Sequence, residues 1–311
     1  MTGFPFPVDP ELTGVVISYA NGDLVADRVL PRISPLLSKQ TFEWLKFEFG
    51  EQITIPDTTV GRKGEPNEVE FSATEDTSKT IDYGLDDVVP IDDVNNAPVG
   101  YNPLSHAAQG VMDLVLLDRE RRVANSVFAA ATYPVGNKVV LAGTSQWSHA
   151  SSDPVAAITA AQDALIMRAN VLVLGRPTWT ALSTNPAILK AVHRNDGDKG
   201  IATRQAVADL FELDEIIVGS AFVNTAKKGQ ALAKARLWGK HAALIRRDGL
   251  ASNKNGRATF GMTMQYGGKV AGQIPEPKTG LRGSIRVRAG ESVKELITAP
   301  DLGYFFESAV A

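Results

Sequence analysis

The feature that most constrains the fold is a continuous helical pattern over residues 102–132. Asn102 is a suitable N-cap, Pro103 suits the first turn, and Pro134 ends the pattern. Between them apolar side chains recur at helical spacing: Leu104, Ala108, Val111, Val115, Ala124, Val127, Phe128 and Ala131. At 1.5 Å per residue such a helix spans roughly 45 Å, well over the usual length in a globular protein.

An apolar segment that is broken by prolines occupies residues 1–50. Pro31 and Pro35 prevent one continuous helix there. The segment still carries many large apolar side chains: Val15, Val16, Ile17, Tyr19, Leu24, Val29, Leu30, Phe42, Trp44, Phe47 and Phe49. Because an extended apolar segment cannot bury itself, we expect it to lie either on its own body or on a neighbouring chain.

Residues 51–92 have the pattern of a long β-hairpin. Short alternating stretches at Ile53–Ile55 and Glu68–Phe71 flank a polar segment that is rich in turn residues. The predicted tip consists of Gly61, Arg62, Lys63, Gly64, Glu65 and Pro66. A protruding hairpin has little core of its own, so it is either a mobile surface loop or an arm that reaches a partner.

The second half of the chain has the pattern of a mixed α/β region. Asp153–Pro154 starts a predicted helix, and short apolar runs predict buried strands at Val171–Leu174 and Glu215–Val218. Near the end, Val293–Ile297 and Gly303–Ala309 alternate like a pair of strands. The predicted fold class is therefore α+β, with helices and strands mixed.

Composition limits the possible partners. The 311 residues include no cysteine, which excludes disulfides and cysteine-ligated metals. The net charge is −3, and the longest basic cluster, Arg119–Arg122, is interrupted by Glu120. Proteins that bind nucleic acid through phosphates usually show a basic stripe. If this protein encloses DNA, we therefore expect it to surround the DNA as a container wall and not to bind its phosphates. We expect a cytoplasmic protein, since neither a signal peptide nor a membrane-spanning apolar run is visible.

Sequence signatures of catalysis are missing. Gly143–Trp147 begins like a nucleophile elbow but lacks the second glycine, and a triad of Ser145, His149 and a distant aspartate stays open as a minor alternative. The adjacent carboxylates of Asp86–Asp87 and of Asp92–Asp93 point to opposite faces of an extended chain. None of the histidines has a metal-ligand spacing; they are His106, His149, His193 and His241. We therefore expect no catalytic residue, metal site or cofactor.

The order of these features resembles a known family. An apolar arm, a long hairpin, a very long helix, a mixed α/β region and terminal strands follow one another in the major capsid proteins of tailed bacteriophages, which have the Hong Kong 97-type fold. Several strings are similar to that family's arm, extended loop, loop return, spine helix and axial-domain entry: Asp23–Pro31, Asp57–Arg62 with Asn67–Phe71, Tyr83–Pro90, Leu117–Ala124 and Ser152–Pro154. Their shared order over nearly the whole chain carries the resemblance.

The resemblance implies a layout of five segments. Residues 1–50 would form the N-terminal arm, and residues 51–92 would form the extended loop. The peripheral domain, residues 93–152, would hold the spine helix, and the axial domain would cover residues 153–280. Residues 281–311 would return to the peripheral domain as strands.

The resemblance also implies a function. The chain would be a structural protein without enzymatic activity that assembles into pentamers and hexamers and forms the icosahedral head shell around phage DNA. Implied partners are a separate scaffolding protein, a portal protein, an optional decoration protein and packaged double-stranded DNA bound without sequence specificity. The protein would be located in the virion after assembly in the cytoplasm of the host bacterium. Two alternatives remain: an encapsulin-type nanocompartment shell, which shares the fold, and a soluble enzyme with an unrecognised site.

Contacts between subunits are expected from two segments, because area buried between neighbours can replace area buried within one chain. The contact residues predicted in the extended loop are Arg62, Lys63 and Glu65. Those predicted in the arm are Val16, Tyr19, Leu24 and Arg28.

We predict that the shell is held without covalent cross-links. Some family members join subunits by an isopeptide bond between a lysine of the extended loop and an asparagine late in the chain. Lys63 stands where such a lysine could be, but Asn255 is the last asparagine, and Asp301 is a poor electrophile unless burial keeps it protonated. Boiling mature particles in detergent should release a single band of 33.3 kDa. A ladder of linked subunits would contradict the prediction, and mass spectrometry would then identify the acceptor.

Overall fold

Two β-sheets and one long helix organise the chain. The computed structural model describes residues 6–19, 21–47, 55–68, 73–193, 200–227, 229–252 and 257–311. The helices are α1 Pro10–Ser18, α2 Ala26–Val29, α3 Ile91–Asn95, α4 Pro103–Val127, α5 Pro154–Ala164, α6 Arg176–Thr184, α7 Pro186–His193 and α8 Arg204–Leu210. The strands are β1 Thr41–Phe47, β2 Ala73–Lys79, β3 Ile81–Pro90, β4 Lys138–Val140, β5 Val171–Gly175, β6 Glu215–Gly219, β7 Phe222–Asn224, β8 Lys234–Arg236, β9 Ala242–Ile245, β10 Gly261–Glu276, β11 Ser284–Ile297 and β12 Gly303–Glu307.

The long helix α4 confirms the strongest sequence prediction. The side chain of Asn102 accepts hydrogen bonds from backbone N–H groups of the first turn, and Pro103 occupies that turn. The helix ends at Val127, earlier than predicted. Phe128 leaves the helix and packs edge-on against the indole of Trp238, at 5.3 Å between ring centroids. The helix thus ends beside a contact with a distant residue, which no local sequence pattern contains.

A three-stranded antiparallel sheet lies against α4. Its strand order is β10-β11-β3, and β10 and β11 form one long hairpin. Helix α1 packs on β10, next to α4. The shared buried cluster consists of Leu12, Val16, Val89, Ala107, Ala108, Val111, Met112, Val115, Leu116, Ala271, Val287 and Ala289.

The described part of the N-terminal arm lies on the chain's own body. Isolated backbone bridges pair Val8, Arg32 and Leu37 with residues of β10, so the arm follows the free edge of that strand. Helix α1 buries Leu12 and Val16. Of the two possibilities that the sequence left open, the subunit's own body is the one observed for these residues. The arm can pack on its own subunit because its residues 10–18 form α1, and a helix lets a short segment bury one face.

A separate two-stranded ribbon carries the predicted loop. Strands β1 and β2 are antiparallel, with Thr41 opposite Lys79. The stretches predicted as strands, Ile53–Ile55 and Glu68–Phe71, lie largely outside the described residues, and the ribbon is formed by flanking sequence instead. Between the ribbon strands, the described residues 55–68 are exposed and have one turn at Arg62 and Lys63. They project from the body.

The second sheet has five strands in the order β4-β12-β9-β5-β6. Strands β5 and β6 are parallel, as are β4 and β12, whereas β9 is antiparallel to both of its neighbours. The predicted strand Val171–Leu174 is confirmed and fully buried. Side chains of α5, α6, α7 and α8 belong to the apolar cluster that covers one face of this sheet. A second apolar cluster covers the other face, with Val171 and Val173 among its members. Burial on both faces explains the continuous apolar run in β5.

One strand pairing predicted from the sequence is wrong. Gly303–Ala309 was expected to pair with Val293–Ile297, but β12 pairs with β4 and β9 in the five-stranded sheet. Phe305 and Phe306 are both buried, one on each face of that sheet, so β12 fits an interior position better than an edge. Strand β10, in turn, belongs to the three-stranded sheet. Strand pairing therefore crosses the segment boundaries that the resemblance implied.

We predict that the packing of α1 stabilises the subunit. Leu12→Ala should lower the free energy of unfolding by about 2–4 kcal/mol, because Leu12 lies in the buried cluster beside α4. Ile17→Ala on the exposed side of the same helix, where the side chain is 59% exposed, should change it by less than about 0.5 kcal/mol. Denaturant unfolding of the unassembled subunit measures both. Equal losses would mean that α1 does not dock as described.

Candidate functional site

The middle of α4 carries two charged residues on its buried face. Arg119 is 1% exposed and Glu120 is 0% exposed. A charge that is removed from water needs hydrogen-bond partners or an opposite charge. Both residues find these partners in the arm, so this part of α4 is where the arm is attached to the body.

Glu120 binds the arm through backbone groups. The N–H of Val25 donates to both carboxylate oxygens at 3.0 Å, and the N–H of Ala26 donates at 2.7 Å. These N–H groups belong to the start of α2, where an anion is favoured. The indole Nε1–H of Trp238 donates to the same carboxylate at 2.6 Å. Burial raises the pKa of Glu120, and these hydrogen bonds oppose the shift.

Arg119 completes the attachment of the arm from the neighbouring position. Its Nη1 donates to Oδ1 of Asp27 at 2.5 Å, and its Nη2 donates to Oγ1 of Thr263 at 2.9 Å. The Thr263 hydroxyl donates in turn to the carbonyl of Leu30 at 2.9 Å. Burial raises the pKa of Asp27, but the guanidiniums of Arg119 and Arg32 outweigh it and hold that pKa below its usual value.

Two further arginines tie the arm and α4 to strand β11. Arg32 donates from Nη1 to Glu291 at 2.7 Å. Arg122 donates from Nη2 to Glu295 at 2.9 Å and stacks over the ring of Tyr83 at 3.6 Å. We call the set of Asp27, Arg32, Arg119, Glu120, Arg122, Glu291 and Glu295 the arm anchor. It joins the arm, the long helix and β11 into one network of charges.

The predicted arm contacts mostly serve the subunit itself. Val16 is fully buried in the cluster beside α4, so it has no surface to offer in this conformation. The hydroxyl of Tyr19 donates to Asp113 at 3.2 Å, and Leu24 is partly buried against the same cluster. Arg28 is about half exposed and forms an ion pair with Glu215.

The predicted loop contacts are placed differently. Arg62, Lys63 and Glu65 are exposed, and among the described residues none of them forms an ion pair. Internal bonds hold the loop in shape: Asn67 Nδ2 donates to the carbonyl of Asp57 at 2.8 Å, and the Gly64 N–H donates to the carbonyl of Gly61 at 2.8 Å. Ile55, at the loop's base, is 91% exposed. The loop therefore presents apolar and charged groups that its own chain leaves uncovered.

The described residues do not assemble the catalytic triad that the sequence left open. The Ser145 hydroxyl donates to the carbonyl of Ala142 at 2.9 Å, and His149 Nδ1 lies 2.8 Å from Ser151 Oγ instead. No group of three or more carboxylate or imidazole side chains in the described ranges could hold a metal ion. No helix there is long and apolar enough to span a membrane. Asn255 lies outside the described residues, and Asp301 is exposed just before β12.

Sequence reasoning missed the arm anchor, although a signal was present. The buried stripe of α4 runs through Met112, Val115 and Leu116 to Val123 and Ala124. Arg119 and Glu120 occupy the positions where this stripe calls for apolar side chains. A charge pair inside an apolar stripe indicates a buried polar contact, but the sequence does not name its partners.

Comparisons with known proteins agree on one family. The chain is 51% identical to the "Major capsid protein" of Pseudomonas phage JBD67 over 100% of both chains. It is 26% identical to the "Major capsid protein" of Burkholderia phage BcepMu over 234 residues, 69% of each chain. The crystal structure of a phage-related protein from Bordetella bronchiseptica superposes with a TM-score of 0.74 at 22% identity, over 98% of this chain and 99% of that one. No protein-family model matches the sequence.

We predict that Glu120→Gln detaches the arm. The amide would replace one acceptor oxygen by an NH₂ group that faces the N–H donors of Val25, Ala26 and Trp238, leaving buried donors unpaired. The free energy of unfolding should fall by about 2–4 kcal/mol, and hydrogen exchange at Val25 and Ala26 should accelerate.

The control for this prediction is Asp118→Asn on the more exposed side of the same helix, where the carboxylate pairs with Arg121 and Arg122. That change should cost less than about 1 kcal/mol, since exposed ion pairs contribute little, and it should leave exchange in the arm unchanged. Unaltered exchange at Val25 and Ala26 in Glu120→Gln would show that the carboxylate does not hold the arm.

Proposed function

The chain belongs to the family of phage major capsid proteins, and from this premise we propose that its extended loop holds neighbouring subunits together in the capsid shell. The shell role itself follows from the match, over the whole of both chains, to a phage major capsid protein. The observation that carries the proposal is the projecting loop, residues 55–68, whose described residues are exposed throughout. A shell subunit buries such a segment against its neighbours.

The charged tip and apolar base of the loop have separate roles in the proposal. Ile55 and Val60 supply apolar area that water would otherwise cover. Arg62, Lys63 and Glu65 supply charge that selects the position of the neighbour. Each exposed ion pair is weak, but a closed shell repeats it at every equivalent contact.

The arm contributes less to these contacts than the sequence suggested. Of the four predicted arm contacts, Tyr19, Leu24 and Arg28 keep exposed parts that a neighbouring subunit could contact. Val16 is assigned to the subunit's own core, because it is buried against α4. A fixed arm then shapes the surface that a neighbour meets and does not exchange between chains.

We further propose the architecture of the assembled particle. Subunits form pentamers and hexamers, which close into an icosahedral head around double-stranded DNA. The net charge of −3 supports a wall that encloses DNA without binding its sequence. A separate scaffolding protein, a portal protein and an optional decoration protein are its proposed partners. Assembly takes place in the cytoplasm of the host bacterium, and the mature location is the virion.

The two sheets support a division into two domains. The three-stranded sheet with α4 is the proposed peripheral domain, which takes β3 from segment 51–92 and β10 from segment 153–280. The five-stranded sheet is the proposed axial domain, which takes β12 from segment 281–311. Segment 1–50 keeps its proposed role as the arm, although β1, at residues 41–47, forms the stem of the loop. Segment 93–152 keeps its proposed peripheral role through α4, although its strand β4 joins the five-stranded sheet.

A purely structural role is favoured over the alternatives. The proposed subunit has no enzymatic activity and no cofactor, and the hydrogen bonds of Ser145 and His149 support this. An encapsulin-type shell would share the fold and differ in its contents. The full-length match to a phage protein at 51% identity favours phage DNA as the content.

We predict that Arg62→Glu with Lys63→Glu weakens assembly without unfolding the subunit. Both side chains are exposed at the loop tip, so the stability of the subunit should change by less than about 0.5 kcal/mol. Electron microscopy and size-exclusion chromatography should show fewer closed shells at equal protein concentration.

The matched control is Lys39→Glu with Lys79→Glu, at exposed positions beside the base of the same ribbon. It changes the net charge equally but leaves the tip intact, so shell yield should stay closer to that of the unchanged protein. A tip variant that melts much earlier would mean that the loop packs within its own subunit. Equal shell yield from tip and base variants would remove the tip from the contact.

A further inference from the structure

Two turns meet at one corner of the subunit, at the far end of the β10–β11 hairpin. The turn at residues 277–283 joins those two strands, and the loop at residues 96–102 joins α3 to α4. The N–H of Ile91 donates to the carbonyl of Gly283 at 3.1 Å, and Arg282 Nη1 donates to Asp92 at 2.7 Å. These bonds fix the hairpin turn against α3.

The corner displays apolar side chains that the subunit leaves fully in water. Leu281 is 99% exposed, and Val99 on the neighbouring loop is 108% exposed. Lys278 lies three residues before Leu281, is exposed, and has no ion pair among the described residues. The hairpin turn is therefore an apolar knob with a free positive charge beside it.

A cavity of about 430 Å³ is lined by residues of β3, of α3 and of the loop at residues 96–102, and the hairpin turn is bonded to α3 through Arg282 and Asp92. Pro90, Pro98, Tyr101 and Ala107 contribute apolar lining, whereas Asp87 and Asp93 contribute carboxylates. Within the described ranges neither carboxylate has an ion-pair partner. The cavity thus offers both apolar lining and carboxylates, which complement the leucine and the lysine of the knob.

We propose that Leu281 of one copy seats in this cavity of a neighbouring copy, with Lys278 beside the carboxylates of Asp87 and Asp93. Burying exposed leucine surface favours association, and opposite charges orient the two copies. Because the hairpin turn is bonded to α3, which also lines the cavity, knob and cavity belong to one corner, and a rotation about an axis near that corner would bring each knob to the next cavity. Such a heterologous contact closes into a small ring. The proposal rests on the proposed shell function, since an assembly supplies the neighbouring copy.

The first test replaces the knob. Leu281→Asp puts a negative charge into an acidic cavity and should reduce the yield of closed shells at least tenfold, as counted by electron microscopy at fixed concentration. The melting temperature of the subunit should stay unchanged, because Leu281 touches little of its own chain. A shell yield equal to that of the unchanged protein would overturn the proposal. The corner would then be a contact for a different protein and not for a second copy of this chain.

The second test exchanges the charges. Lys278→Asp and Asp93→Lys should each lower shell yield, and the double variant should restore most of it, because only a direct contact regains its attraction. Two impaired single variants with an equally impaired double variant would overturn the pairing. If the unchanged protein forms no shells even with its scaffolding protein present, the proposed function fails as well. If the unchanged protein forms shells and Leu281→Asp forms as many, the shell function stands and the corner contact falls.

Discussion

The structure depends on a carboxylate that is held out of water in the middle of its longest helix. Glu120 accepts hydrogen bonds from the backbone of the arm and from the indole of Trp238. A buried carboxylate without these donors would cost several kcal/mol. The arm, the helix and Trp238 are therefore constrained together, and moving any one of them would leave the carboxylate without a donor.

Because the arm buries apolar side chains within its own subunit, fewer of its side chains remain for contacts with other subunits. If the arm were extended and free, its apolar groups would dominate the contacts between neighbours. With Leu12 and Val16 buried within the subunit, the exposed apolar groups include those of the extended loop, such as Ile55, and Leu281 at the corner. The arm anchor, although it lies inside one subunit, therefore affects which side chains of the arm are exposed.

The sequence predicted the structural features that depend on nearby residues and missed those that depend on residues far apart in the chain. The helix start at Asn102 and the buried strand at Val171–Leu174 depend on nearby residues, and both were predicted. The pairing of β12 with β4 and β9 joins residues far apart in the chain, and alternation alone assigned it to the wrong sheet. The loop tip at Arg62 and Lys63 was placed by turn residues, but its supporting ribbon was not, because pairing of Thr41 with Lys79 is not local. Glu120 was visible as a charge in an apolar stripe, whereas its partners are backbone groups that no side-chain pattern records.

The arm anchor fixes the position of the arm more than it stabilises the subunit. Buried ion pairs gain little over well-packed apolar groups, but a mispaired one is costly. Beyond α1, the arm pairs with β10 through two isolated bridges, Arg32 with Thr263 and Leu37 with Tyr266, and such sparse pairing would fix its register weakly. The ion pairs of Arg32 with Glu291 and of Arg119 with Asp27 remove that freedom, because a shift of one residue would separate both pairs. In a shell built from many copies of one chain, every copy must present the same surface, and a charged anchor excludes the alternatives that apolar packing alone would tolerate.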